Sequence, residues 1–141
     1  MRKTILTALL FIITISINAQ TIFGKWNSRN EETGKVDSVI EVYKKEGVAF
    51  AKIIDITNPE RKKAICNLCE GENKDKPILG LNILSGLEKD GDEWSGGKII
   101  DPRSGKVYKC YIKLENPNKL KIRGYLGFAL IGKTAYWERV Q

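Results

Sequence analysis

Lys106-Val-Tyr-Lys-Cys-Tyr-Ile-Lys-Leu-Glu115, then Asn116-Pro-Asn118, then Lys119-Leu-Lys-Ile-Arg-Gly-Tyr-Leu126 is the stretch that decides the fold. Tyr108, Cys110, Ile112 and Leu114 occupy every second position, and so share one face of an extended chain. Past the Asn-Pro-Asn turn, Leu120, Ile122 and Leu126 alternate with Lys121, Arg123 and Tyr125. Two half-apolar segments joined by a polar turn read as an antiparallel hairpin.

The same pattern recurs on both sides. Upstream, Glu93–Asp101 leads through Pro102-Arg103-Ser104-Gly105 into Lys106, with a fixed φ early in the turn and a permissive residue late. Val36, Ser38, Ile40 and Val42 alternate with Asp37, Val39, Glu41 and Tyr43, and Lys45-Glu46-Gly47 turns the chain into Val48–Ile56. Thr21–Ser28 and Lys133–Val140 supply strands at the two ends, which makes seven. Helical periodicity is nearly absent. The prediction is an all-β, single antiparallel barrel of about eight strands. One long irregular loop, residues 58–87, interrupts it. That loop holds Cys66, Cys69 and the apolar run Ile78–Leu84, and loops of such length are commonly functional.

The 141 residues suffice for one domain, and the segment before the strands is not part of it. Arg2 and Lys3 precede a nearly continuous apolar run, Ile5–Ile17, and Ala19 places a small residue before Gln20. As a helix that run spans roughly 20 Å, against a hydrocarbon core of about 30 Å. Residues 1–19 are therefore predicted to be a cleaved signal peptide rather than an anchor. Residues 20–141 then form the barrel domain, exported to the periplasm or secreted. Losing Arg2 and Lys3 lowers the net charge from +7 to +5. The mature chain contains no transmembrane segment by this reading. Its basic residues are scattered along the chain and interrupted by acids, so no nucleic-acid partner is predicted.

The sequence has no histidine. That removes Ser-His-Asp and Cys-His catalysis, histidine-ligated zinc and CxxCH haem attachment. No metal and no cofactor is predicted. In an exported chain, Cys66 and Cys69 are expected to form a disulfide. A thiol–disulfide site and a three-cysteine metal site including Cys110 are the alternatives. Cys110, on the inward face of its strand, reads as core.

Several ordered motifs resemble a known family. They are Gly24-Lys-Trp26, Cys66-Asn-Leu-Cys-Glu-Gly71, Pro77-Ile-Leu-Gly-Leu81, Gly96-Gly-Lys-Ile-Ile-Asp-Pro102, Gly105-Lys-Val-Tyr-Lys-Cys110, Leu120–Gly127 and Gly132–Val140. Together they resemble the bacterial exported family called domain of unknown function 2147, over nearly all of the mature chain. The family has no established activity, so the resemblance implies localisation and domain limits. Gly24-x-Trp26 is also similar to the opening motif of lipocalins, which implies a lipocalin- or fatty-acid-binding-like barrel and a late arginine, Arg123 or Arg139, packed on the tryptophan.

The candidate ligand-binding residues are Trp26, Trp94, Asp101, Tyr108, Arg123, Tyr125 and Trp137. The aromatics offer apolar contact area. Arg123 offers either a structural stack on Trp26 or Trp137, or a site for a carboxylate or phosphate. Asp101 before Pro102 offers a turn carboxylate or, with Arg123 as oxyanion partner, a general base. Trp94-Ser95-Gly96-Gly97 suggests a bulge or a point of ligand approach. The expected function is non-catalytic binding of a small apolar or acyl ligand in the cell envelope. An interaction module that presents the 58–87 loop to a protein partner is the alternative, with an enzyme or CxxC redox protein behind it. An open apolar cavity would favour the first, and an exposed Ile78–Leu84 patch the second. Oligomeric state is not legible.

Overall fold

The computed structural model describes residues 20–127 and 131–141; the expected signal segment lies outside the described residues. Eight strands run β1 (Gly24–Arg29), β2 (Val36–Lys45), β3 (Val48–Ile56), β4 (Asn82–Asp90), β5 (Glu93–Ile100), β6 (Val107–Asn116), β7 (Lys119–Tyr125) and β8 (Gly132–Arg139). Each pairs antiparallel with the next, and β8 returns to β1 through Trp26↔Arg139 and Asn27↔Glu138. The result is a closed barrel, which leaves no open sheet edge.

Seven of the strands coincide with the alternating segments of the sequence. The eighth, β4, begins inside the segment expected to be irregular up to residue 87. The misreading has a physical cause. Leu84 pairs with Ala51 and Leu87 with Ala49, so three steps on β4 match two on β3. Gly86, at φ +75°, absorbs the extra residue as a bulge. Leu84 and Leu87 therefore both face inward although their spacing is odd, and period-two reading fails there. The partner bulge lies opposite. On β5 the register shifts between Trp94 and Gly97, as the Trp94–Gly97 motif suggested. A Cβ on Gly97 would sit 2.3 Å from the Ser85 carbonyl and 2.7 Å from Leu87, so only glycine lets the two strands close there. On β7 the inward positions are Leu120, Ile122 and Gly124. The strand ends at Tyr125, and Leu126 lies exposed in the turn instead of continuing the inner face.

The inner face holds Trp26, Ile40, Val42, Ala51, Ile53, Leu84, Leu87, Cys110, Ile112, Leu120, Ile122 and Trp137, all buried. No charged or polar residue is buried among the described residues. The core is thus apolar throughout, and its stabilisation comes from area removed from water.

The barrel's two ends differ. One end carries the tight β2–β3, β4–β5 and β6–β7 turns and is plugged by the chain before β1. Ile22 is buried there, and Trp26 Nε1 donates to its carbonyl at 2.9 Å. The Arg139 guanidinium lies 4.3 Å from the Trp26 ring. It also donates to the carbonyls of Thr21 (2.7 Å), Pro117 (2.8 Å) and Phe23 (3.1 Å). Of the two candidate arginines, Arg139 is therefore the one on Trp26.

The other end carries the longer β1–β2, β3–β4, β5–β6 and β7–β8 connections. Residues 57–81 cross it as a strap, with 3-10 turns at Pro59–Arg61 and Gly71–Asn73. The Cys66–Cys69 disulfide is formed, and both residues are buried. Around it the strap pairs with itself, Cys66 N–H to Lys76 C=O at 2.8 Å and Ile78 N–H to Ala64 C=O at 3.0 Å. Gly80 and Leu81 exchange backbone bonds with Ile53, which fixes the strap to β3.

Candidate functional site

The strapped end opens into a cavity of about 520 Å³. Its apolar wall is Ile40 of β2, Ile53 and Ile56 of β3, Ile83 of β4, Trp137 of β8 and Ile78 of the strap. Ser38 and Ile40 face it by period two, and they pair with Ile56 and Ile53 of β3, which stand three residues apart. The register shifts opposite Val39 and Ile40, where Ile54 of β3 is the extra residue, and this brings both Ile53 and Ile56 to the inner face. Ser28, Ser38 and Thr57 line the upper wall, and Lys35, Asp37, Arg61, Asp101 and Arg103 ring the opening. The volume falls in the range of small-molecule sites, and an apolar wall beneath a polar, charged rim suits an amphipathic molecule with an apolar body.

Only Asp101 and Trp137 of the seven candidate residues line this cavity. Trp26 lies beyond its floor, fully buried at the plugged end. Trp94 packs edge-on against Phe23, with ring centroids 5.4 Å apart, also toward the plug. Tyr108 lines a separate depression beside Leu68 and Leu126. Arg123 and Tyr125 alternate with the inward Ile122 and Gly124 and so stand on the outer wall, where Arg123 donates to Thr134 Oγ1 at 3.0 Å.

The suggested base and oxyanion partner are not brought together. The Asp101 carboxylate accepts the Arg103 N–H at 3.0 Å and the Ser104 hydroxyl at 3.2 Å, which builds the β5–β6 turn. Arg123 is on the outer wall. Cys110 is free, buried and pushed up to about 12 by desolvation, so its thiol stays protonated at neutral pH. No group of three or more His, Cys, Asp or Glu is placed to hold a metal among the described residues.

The cavity residues absent from the sequence-based set are Ile40, Ile53, Ile56, Ile78 and Ile83. Ile40 carried the ordinary signature of an inward strand position, Ile53 and Ile56 stood in an apolar-rich strand, and Ile78 and Ile83 lay in the apolar run of the long loop. Nothing local distinguishes an isoleucine packed against core from one that faces empty space. The exposed Ile78–Leu84 patch that would have favoured an interaction module is absent, because Ile78, Leu81, Ile83 and Leu84 are buried and Leu79 is the exposed large apolar residue of that run. Among the described residues no helix is long and apolar enough to cross a membrane.

Comparison with solved structures finds the same architecture elsewhere. The structure titled "Protein HP1028 from the human pathogen Helicobacter pylori belongs to the lipocalin family" superposes with a TM-score of 0.74 at 21% identity, covering 86% of this chain and 84% of that one. At that identity the likeness speaks for the fold. No curated protein is significantly similar in sequence. Residues 24–139 match the family described as "Uncharacterized protein conserved in bacteria (DUF2147)", which spans every strand of the barrel, and the chain belongs to that family.

Proposed function

We propose that the protein is an exported, non-catalytic carrier that holds a small apolar or acyl ligand in the strapped cavity. The observation that carries this reading is the open cavity of about 520 Å³ with its isoleucine and Trp137 wall. A barrel built only for stability would fill that space, since cores pack to near-crystalline density. Export, to the periplasm or beyond, is supported by the Arg2–Ala19 pattern and the Cys66–Cys69 disulfide. The interaction-module reading loses its main support with the burial of Ile78, Leu81, Ile83 and Leu84.

The test is native mass spectrometry of protein recovered from its own compartment, followed by lipid extraction and titration with a fluorescent fatty acid. A co-purifying amphiphile, or saturable binding displaced by unlabelled acyl chain, is the expected result. Absence of both would overturn the carrier reading. Free Cys66 and Cys69 thiols in that same material would point instead to a redox role.

A further inference from the structure

Among the described residues, the large exposed hydrophobics other than Tyr136 all lie at the strapped end of the barrel. Four of them form one corner. Leu68 of the strap, Val107 at the start of β6 and Leu126 after β7 line a common depression. Ile131 is held beside them by the Leu126 N–H bond to its carbonyl at 3.0 Å. Their exposures are 57%, 48%, 56% and 64% respectively. Monomeric proteins do not usually leave so many large apolar side chains together in water without a use.

The adjoining outer wall is cationic. Strand register, not sequence proximity, assembles it. Lys98, Lys109 and Tyr125 form one row across β5, β6 and β7. Tyr111, Arg123 and Thr134 form the next row, and Lys113, Lys121 and Tyr136 the one after. Lys121 lies over Tyr111 at 5.6 Å, and Lys119 over Tyr136 at 4.4 Å. The acids of this wall cluster toward the plugged end: Asp92 pairs with Lys113 at 3.1 Å, Glu93 faces Lys113, and Glu138 faces Lys119. Glu70 is the acid at the apolar corner. The row of Lys98 and Lys109 next to that corner has no acid across it on β6 or β7.

We infer that the Leu68–Val107–Leu126–Ile131 corner and the Lys98–Lys109–Tyr125 row dock the barrel on an anionic phospholipid bilayer. Exposed leucine, valine and isoleucine side chains enter the acyl boundary. Lysines meet phosphate, and tyrosines sit at headgroup depth. The corner shares its barrel end with the cavity mouth, which would place that mouth at the bilayer surface. Docking itself does not require the cavity to hold a ligand, so the two readings fail separately.

The experiment is flotation of the mature protein with vesicles of phosphatidylcholine alone, or of phosphatidylcholine containing one-third phosphatidylglycerol. Binding to the mixed vesicles, weakened by salt, is expected. Lys98→Ala with Lys109→Ala should weaken it by about fivefold per lysine. Leu126→Ser with Ile131→Ser should weaken it further in high salt, where insertion dominates. Lys45→Ala with Lys89→Ala, an equal charge change toward the plugged end, should leave it nearly intact. Equal binding to both vesicle types, no binding to either, or equal loss from the two lysine pairs would overturn the inference. Equal affinity for duplex DNA at the same salt would overturn it too, because the wall would then be a general polyanion surface. All six substitutions are at solvent-exposed positions, and circular dichroism establishes that each variant is folded.

Discussion

Replacing Arg139 with alanine tests whether one side chain plugs the barrel. Its guanidinium donates to three backbone carbonyls, of Thr21, Phe23 and Pro117, and stacks on a fully buried indole. A charged hydrogen bond contributes about 1.5–3 kcal/mol when well formed, and a cation–π contact about 0.5–2 kcal/mol. Arg139 is only partly buried, so solvent competition brings each bond toward or below the lower figure. We therefore expect a total loss of about 3 kcal/mol, or roughly 10 °C in Tm for a chain of this size. Arg139→Lys keeps the charge but not the planar fork, and one ammonium cannot reach three diverging carbonyls. It should recover no more than about 1 kcal/mol. Urea unfolding followed by tryptophan fluorescence measures both, since Trp26 lies under the guanidinium. Hydrogen exchange should show residues 20–23 released in the alanine variant while β2 and β3 stay protected. The reasoning is refuted if Arg139→Lys matches the wild type, or if Arg139→Ala costs under about 1 kcal/mol.

Two further outcomes follow from the same geometry. At Gly105 (φ +71°) a Cβ would lie 1.9 Å from the Leu68 carbonyl oxygen. Gly105→Ala should therefore separate the strap from the β5–β6 turn at a cost of about 2 kcal/mol, seen as faster proteolysis between residues 57 and 81. The Cys110 thiol is raised from 9.0 to about 12 by burial. The folded state then holds its proton where the unfolded chain has lost it, so this group lowers stability as pH rises from about 9 toward 12. Correspondingly, Cys110 should resist alkylation in the folded protein at pH 8 and react fully in urea. Rapid labelling under native conditions would contradict its burial.

Strand parity was legible because it is local. Alternation at Val36–Tyr43, Lys106–Glu115 and Lys119–Tyr125 assigns each residue to one face without knowledge of its partners. The inward Cys110 and the turn role open to Asp101 could be read in the same way. β4 was not legible, since the Gly86 bulge turns an odd spacing into a same-face pair, and a bulge is a relation between two strands. Parity alone sends Arg123 to the outer wall, but the contact of Arg139 with Trp26 was beyond local reading, because closure makes β8 the neighbour of β1.

The sequence by itself determined the all-β class, the faces of the regularly alternating strands and the absence of histidine chemistry, and it nominated Cys66 and Cys69 as the disulfide pair. Tertiary structure alone decided which end of the barrel is plugged and which is open, because that depends on where residues 57–81 and 20–23 return. It also decided which isoleucines face a cavity and which face packed neighbours. Lysines spread along three strands became one cationic wall for the same reason. A residue's face follows from its own backbone, whereas its neighbours follow from register and closure, which no single segment contains.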